Sequence, residues 1–174
     1  MRVGSSKWSR GVTLLELLVA IAVGTLLITV TIVVSDTFIK RAKKARCMAN
    51  LRTIHSGLLG YLTDQGHWPQ MEEDKYDFSE EEFFGFWVKA TEPYGLSQAN
   101  WICPSDSRFI GLPDEAKDKY YGSYVVTRFD NIPSTPFRWN QPWAMERGDF
   151  HGKGVHILFP DGSVQDSRNP FAGR

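Results

Sequence analysis

From Val12 to Val34 the chain carries a single charged residue, Glu16, in an otherwise apolar run. As a helix rising 1.5 Å per residue, this run extends about 35 Å, enough to cross the hydrocarbon core of a bilayer. A carboxylate inside such a segment costs at least about 2.5 kcal/mol on insertion scales, so Glu16 needs a partner.

The residues around the run narrow the choices. The stretch before it holds Arg2, Lys7 and Arg10, no acid, and ends at Gly11. A cleaved secretory signal shares that basic start, but its apolar region is about 7–15 residues long and closes in a small-residue site. Val33-Val34-Ser35-Asp36 is a poor site of that kind. An uncleaved single-pass anchor fits the length and leaves Glu16 unexplained. Basic and acidic residues balance at 20 each, and without the leader 17 basic residues face 20 acidic ones. The one basic cluster, Lys40-Arg41-Lys43-Lys44-Arg46, directly abuts the apolar run, so no nucleic-acid partner is expected. By count alone, three basic residues before the run and five after it favour a head on the cytoplasmic side.

Gly11-Val12-Thr13-Leu14-Leu15-Glu16-Leu17 resembles the cleavage and methylation motif of type IV prepilins and type II secretion pseudopilins. The resemblance implies that a membrane peptidase and N-methyltransferase cuts after Gly11 and methylates Val12, where phenylalanine is usual in the family. It implies that the leader is cytoplasmic, against the charge count, that the head is periplasmic and that the helix starts in the inner membrane. It also implies other pilin or pseudopilin subunits and their assembly platform as partners. Glu16 then matches the glutamate at the fifth mature position.

Physical chemistry gives that glutamate a task. Cleavage creates an ammonium at Val12 with a reference pKa of about 7.7–8.0, and methylation leaves its charge in place. Opposite charges about 4 Å apart attract by roughly 4 kcal/mol at an effective dielectric near 20. Pairing Glu16 of one subunit with the amino terminus of another therefore offsets much of the burial cost and fixes axial register.

Beyond Val34 the helix is expected to continue without a break to Gln65, since no proline intervenes. Cys47, Leu51, Ile54, Leu58 and Tyr61/Leu62 recur at three- and four-residue steps, a stripe to face a sheet. Gly66 and Pro69 supply the stop. Ser79-Glu80-Glu81-Glu82 reads as a capping box opening a short helix, its acids complementing the helix dipole. Trp101–Asp106 reads as a brief strand ending in a turn, and Tyr120–Phe129 as a strand around Tyr124-Val125-Val126. Asp130–Phe150, rich in Pro, Asn and Trp, is expected to be an irregular loop held by its aromatics. Val155–Asp166 reads as a hairpin turned at Asp161-Gly162, with alternation placing His156 opposite the Val155/Ile157/Phe159 face.

His151, ten residues before Asp161-Gly162, joins Cys47 with Asn50-Leu51 and Cys103-Pro104-Ser105. Together they resemble the H-x9-D-G pseudopilin-like proteins of planctomycetes and verrucomicrobia. If the head is exported, Cys47 and Cys103 either form a disulfide or stay as two buried thiols. A bridge closing a loop of about 57 residues would contribute roughly 4 kcal/mol in the chain-entropy view. His151, His156, Asp149 and Asp161 raise a transition-metal reading, but the hairpin alone accounts for Asp161-Gly162. The resemblance favours calcium, which major pseudopilins bind in a C-terminal loop. Asp106, Asp130, Asp149 and Asp166 are available donors, without a spacing that assigns them. No other cofactor is expected. No nucleophile elbow, His-Glu-x-x-His or phosphate loop is present, so no catalytic residue is expected.

These readings converge on an α+β, pilin-like fold: a long N-terminal transmembrane helix with a small antiparallel sheet on its distal half. Leader 1–11, apolar helix 12–34, amphipathic helix 35–66 and a head of 67–174 with 35–66 are the expected parts. The expected function is a structural subunit of a secretion pseudopilus or pilus-like filament. The alternative is a membrane-tethered protein whose loop from Trp139 to Trp143 captures a ligand such as a glycan.

Overall fold

The computed structural model describes residues 11–71, 79–117, 119, 122–152 and 154–168, without the side chains of 30–34. The leader before Gly11 and Tyr120 lie outside these residues. The chain falls into two units, Met1–Ile39 and Lys40–Arg174.

One helix, α1 (Leu14–Gln65, 52 residues), runs through both. Thr13 starts it: its carbonyl accepts the N–H of Leu17, and its hydroxyl accepts the N–H of Glu16 at 3.2 Å. Gly66 ends it in the left-handed region (φ 74°), with its N–H on the carbonyl of Leu62. In the first unit the apolar side chains from Val12 to Ile28 are mostly exposed, Leu14 at 82%. No helix among the described residues is long and apolar enough to cross a membrane. The expected apolar run ends in residues whose side chains are not described.

In the second unit α1 behaves differently. Cys47, Leu51, Ile54, Leu58 and Leu62 are buried along one stripe, as their spacing predicts. They join Trp68, Trp87, Trp101 and Trp143, all fully buried, in one core. Two of these indoles satisfy their N–H on carbonyls, Trp68 on Thr127 and Trp143 on Pro136. Gly57 and Gly60 let the chain after α2 (Glu80–Thr91) approach the helix. A Cβ on Gly57 would fall 2.3 Å from Leu96 Cδ1, and one on Gly60 would fall 2.9 Å from Tyr94 Cδ1. The capping box of α2 forms as expected, with Ser79 and Glu82 bonding reciprocally.

Two short helices follow, α3 (Ser107–Ile110) and α4 (Asp114–Lys117). Then comes an antiparallel sheet in sequence order: β1 (Tyr124–Val126), β2 (Ala144–Glu146), β3 (His156–Leu158) and β4 (Val164–Asp166). The fold is therefore α+β, with a long helix and a four-stranded antiparallel sheet.

Two local expectations are corrected. Trp101 closes a 3-10 turn, Gln98–Trp101, and is not in a strand. Ser97 and Asn100 bond each other's backbone across that turn, and such local bonds compete with sheet formation. The stretch Asp130–Phe150 is not all loop. It contains a 3-10 segment, Thr135–Asn140, and strand β2, whose inward Glu146 disguises it because glutamate is depleted in strands. His156 lies opposite Ile157, as alternation predicts, and it shares the buried face of β3 with Leu158. The β3–β4 hairpin turns through Pro160-Asp161-Gly162 as the sequence predicts: Gly162 (φ 77°) returns its N–H to the carbonyl of Phe159, and the Phe159 N–H donates to the Ser163 carbonyl.

Candidate functional site

The Gly11–Glu16 stretch begins at the mouth of α1. Gly11, Val12 and Thr13 precede the helix, and Val12 is exposed. Glu16 is the third helical residue after the Thr13 cap, so Thr13-Leu14-Leu15-Glu16 also has capping-box spacing. Its backbone N–H donates to the Thr13 hydroxyl oxygen. Its exposed carboxylate has no hydrogen bond or ion pair among the described residues.

The second constellation lies in the head, where the sheet meets the distal part of α1. Cys47 on α1 and Cys103 after the Gln98–Trp101 turn form a disulfide, with Cα atoms 5.1 Å apart. The bridge joins positions 56 residues apart. Asn50, one turn on from Cys47, donates to the carbonyl of Ile102 at 2.9 Å and so holds the Cys103 segment against the helix. Asp106, fully buried, takes Ser123 Oγ at 2.8 Å and the Arg108 guanidinium at 3.3 Å.

The inner face of the sheet carries two unlike rows. Val126, Ala144, Leu158 and Val164 pair across it as an apolar row. Tyr124 pairs with Glu146, and His156 with Asp166. Continuing the β2–β3 register sets Glu146 opposite His156, which completes a polar row. Glu146 is 2% exposed and His156 1% exposed. Glu146 Oε2 accepts the backbone N–H of His156 at 2.9 Å, while Oε1 lies 3.3 Å from His151 Nε2. His156 Nδ1 is 3.0 Å from Oε2 but off the line a hydrogen bond needs. Both its ring nitrogens are thus buried without a hydrogen-bond partner among the described residues. His151 Nε2 also stands 3.6 Å from Cys103 Sγ.

Burial holds the His151 imidazole below its ordinary pKa of 6.5, against the opposing pull of Glu146. Burial likewise pushes the Tyr124 phenol up. At the edge of the row, the Arg168 backbone N–H and Lys44 hold the Asp166 carboxyl below its usual range.

His151 and Asp161-Gly162, united in the sequence motif, make separate contacts. His151 belongs to the disulfide and Glu146. The turn instead packs on α1: His55 Nε2 donates to the Pro160 carbonyl at 2.9 Å, and the His55 ring stacks on Trp143. A Cβ on Gly162 would fall 3.3 Å from that ring, so this glycine meets both a left-handed backbone and a close neighbour. Asp161 accepts the Ser163 N–H at 2.9 Å, and bonds from Ser163 lower its pKa.

The four aspartates available for calcium do not gather into a donor group among the described residues. Asp130 caps Ile132, Asp149 faces Arg168, Asp106 is held by Arg108 and Ser123, and Asp166 by Lys44. The donor group that does form is Cys47, Cys103, Glu146 and His151, with ligand atoms all within 4.8 Å of one another. The sequence singles out Cys47 and Cys103 only as a disulfide or thiol pair, and His151 as a metal candidate with other partners. Glu146 was missed because β2 was read as loop. In the aromatic loop Trp143 is buried, whereas Trp139 is 87% exposed with φ 61°.

In comparisons with known proteins, no family model, no curated protein and no solved structure matches the chain.

Proposed function

We propose that this chain is a structural subunit of a type II secretion pseudopilus or a type IV pilus-like filament. In this reading a peptidase cuts after Gly11, Val12 becomes the methylated terminus, and the apolar helix starts in the inner membrane with the head in the periplasm. Subunits then pack head to tail through contacts that do not close on themselves. One observation carries the proposal: the apolar side chains of Val12–Ile28 are exposed around Glu16, whose carboxylate has no partner among the described residues. Apolar surface of that extent favours removal from water, and a carboxylate within it calls for a cation. A neighbouring subunit's amino terminus supplies that cation.

Mass spectrometry of the protein recovered from membranes tests the reading. The expected mass begins at methylated Val12; an intact Met1 would overturn the reading.

A second reading has one observation in its favour. Trp139, largely exposed on a left-handed backbone, presents a flat aromatic face two residues on from the half-exposed Phe137. Such a face can stack on a sugar ring. In that case the protein stays full length and monomeric, and a glycan quenches Trp139 fluorescence.

A further inference from the structure

We propose that the thiol form of this head binds one zinc ion through Cys47, Cys103, His151 and Glu146, so that disulfide and metal are alternative cross-links at one place. The proposal does not depend on the filament reading.

Three observations lead to it. The four ligand atoms already lie within 4.8 Å of one another, a spread that a tetrahedral site can gather with side-chain rotations. His151 Nε2 is 3.6 Å from Cys103 Sγ and 3.3 Å from Glu146 Oε1. A tetrahedral zinc with bonds of about 2.1 Å to nitrogen or oxygen and about 2.3 Å to sulfur places neighbouring ligands roughly 3.4–3.8 Å apart. Finally, Glu146 is oriented as a metal-bound carboxylate would be. The His156 N–H holds its far oxygen Oε2 at 2.9 Å, leaving Oε1 directed at His151.

A disulfide alone gives no reason for this neighbourhood. Burying a carboxylate, and the two ring nitrogens of His156 that lack hydrogen bonds, costs stability wherever no charge compensates them. A divalent ion beside Glu146 would compensate the carboxylate. Two thiolates, one carboxylate and one neutral imidazole suit zinc rather than calcium or magnesium, which prefer all-oxygen shells.

The step from one form to the other balances. A dithiol reductant passes two electrons and two protons to the Cys47–Cys103 bridge and itself becomes a disulfide. Zinc then displaces the two thiol protons, which leave to solvent. Disulfide sulfurs cannot supply those thiolates, so the oxidised form lacks half of the shell.

The test uses the full chain in detergent. It is reduced with a dithiol in denaturant, freed of reductant without oxygen, and refolded with or without Zn2+; Co2+ replaces zinc for spectroscopy. The expected result is one zinc per reduced chain and none retained by the oxidised chain. The cobalt form should show the intense visible bands and near-ultraviolet thiolate charge transfer of a tetrahedral site. His151→Ala and Glu146→Gln should each weaken zinc binding at least about tenfold. Two controls separate ligand loss from misfolding: the oxidised variants should keep a cooperative melt, and Lys117→Ala, on the surface, should bind like the parent. If the reduced chain is unfolded without metal, zinc should restore its melt. Absence of binding and refolding by zinc would overturn the proposal. So would zinc that binds the oxidised chain equally, or that ignores both substitutions.

Discussion

Two regions of the molecule place a glutamate among apolar neighbours and treat it in opposite ways. In the head, Glu146 sits on the inner face of the sheet, nearly inaccessible, with a backbone N–H and two imidazoles around it. Along the first part of α1, Glu16 stands among exposed leucines, and its carboxylate has no partner among the described residues. The head thus surrounds its acid with groups from its own chain. The first part of the helix instead offers its acid and its apolar surface together, with nothing among the described residues to cover them. The same contrast appears in the leucines. Leu51 and Leu58 are fully buried on α1, whereas Leu14 and Leu15 on the same helix are not. Helical periodicity selects a face only where the chain also supplies something to cover it.

Substituting Glu16 sharpens this contrast most. Glutamine at the third helical position keeps hydrogen-bonding capacity towards the Thr13 cap and removes the charge. Glu16→Gln should be processed after Gly11, melt like the parent and fail to form filaments. Electron microscopy of sheared filaments, with the mature mass as a control, reads the outcome. Filaments like those of the parent would show that Glu16 merely starts the helix, and the contrast with Glu146 would collapse.

A matched pair of truncations comes next. Ile54→Ala removes a fully buried side chain from the distal stripe and should destabilise the head by about 2–5 kcal/mol. Leu17→Ala, more than half exposed on the same helix, should change head unfolding by no more than about 0.5 kcal/mol. Denaturant unfolding followed by fluorescence reports the head directly, because Trp68, Trp87, Trp101 and Trp143 are all buried there. Equal effects would mean that the two parts of α1 share one cooperative core.

Much of this was legible in the sequence, and the limits have physical causes. The α1 stripe, its stop at Gly66 and the capping box of α2 rest on local chemistry, so residue type and spacing suffice. The Cys47–Cys103 bridge was left open because two cysteines show that a pairing can occur, not whether it does. Strand β2 was missed because three residues carry too short an alternation, and because its inward glutamate is explained only by His151 and His156 on other segments. Alternation correctly sets His156 opposite Ile157, but which of the two faces is buried depends on the acid: an imidazole enters a core when a buried acid waits there. Nothing in residues 155–159 reveals that acid.

The smallest effect concerns how completely the head satisfies its own acid, and it has a definite sign. Burial lowers the His151 pKa below 6.5, although Glu146 pulls the other way, so the unfolded chain takes up the proton more readily than the folded one. Stability from this residue is therefore present above the unfolded value of about 6.5 and falls as pH drops through it. Asp161 and Asp166, whose folded values are also lowered, act in a separate window at and below the carboxylate range. Melting the oxidised protein at about pH 7.5 and about pH 5.5 spans the histidine window alone. The parent should lose stability on acidification, and His151→Gln should lose less. His55, His67 and His156 remain in both proteins and provide a common background. If the parent instead gained stability at the lower pH, the imidazole next to Glu146 would be drawing a proton in. The head would then be taking up a charge from solvent to satisfy its acid, as the proposed filament has Glu16 do from a neighbouring subunit.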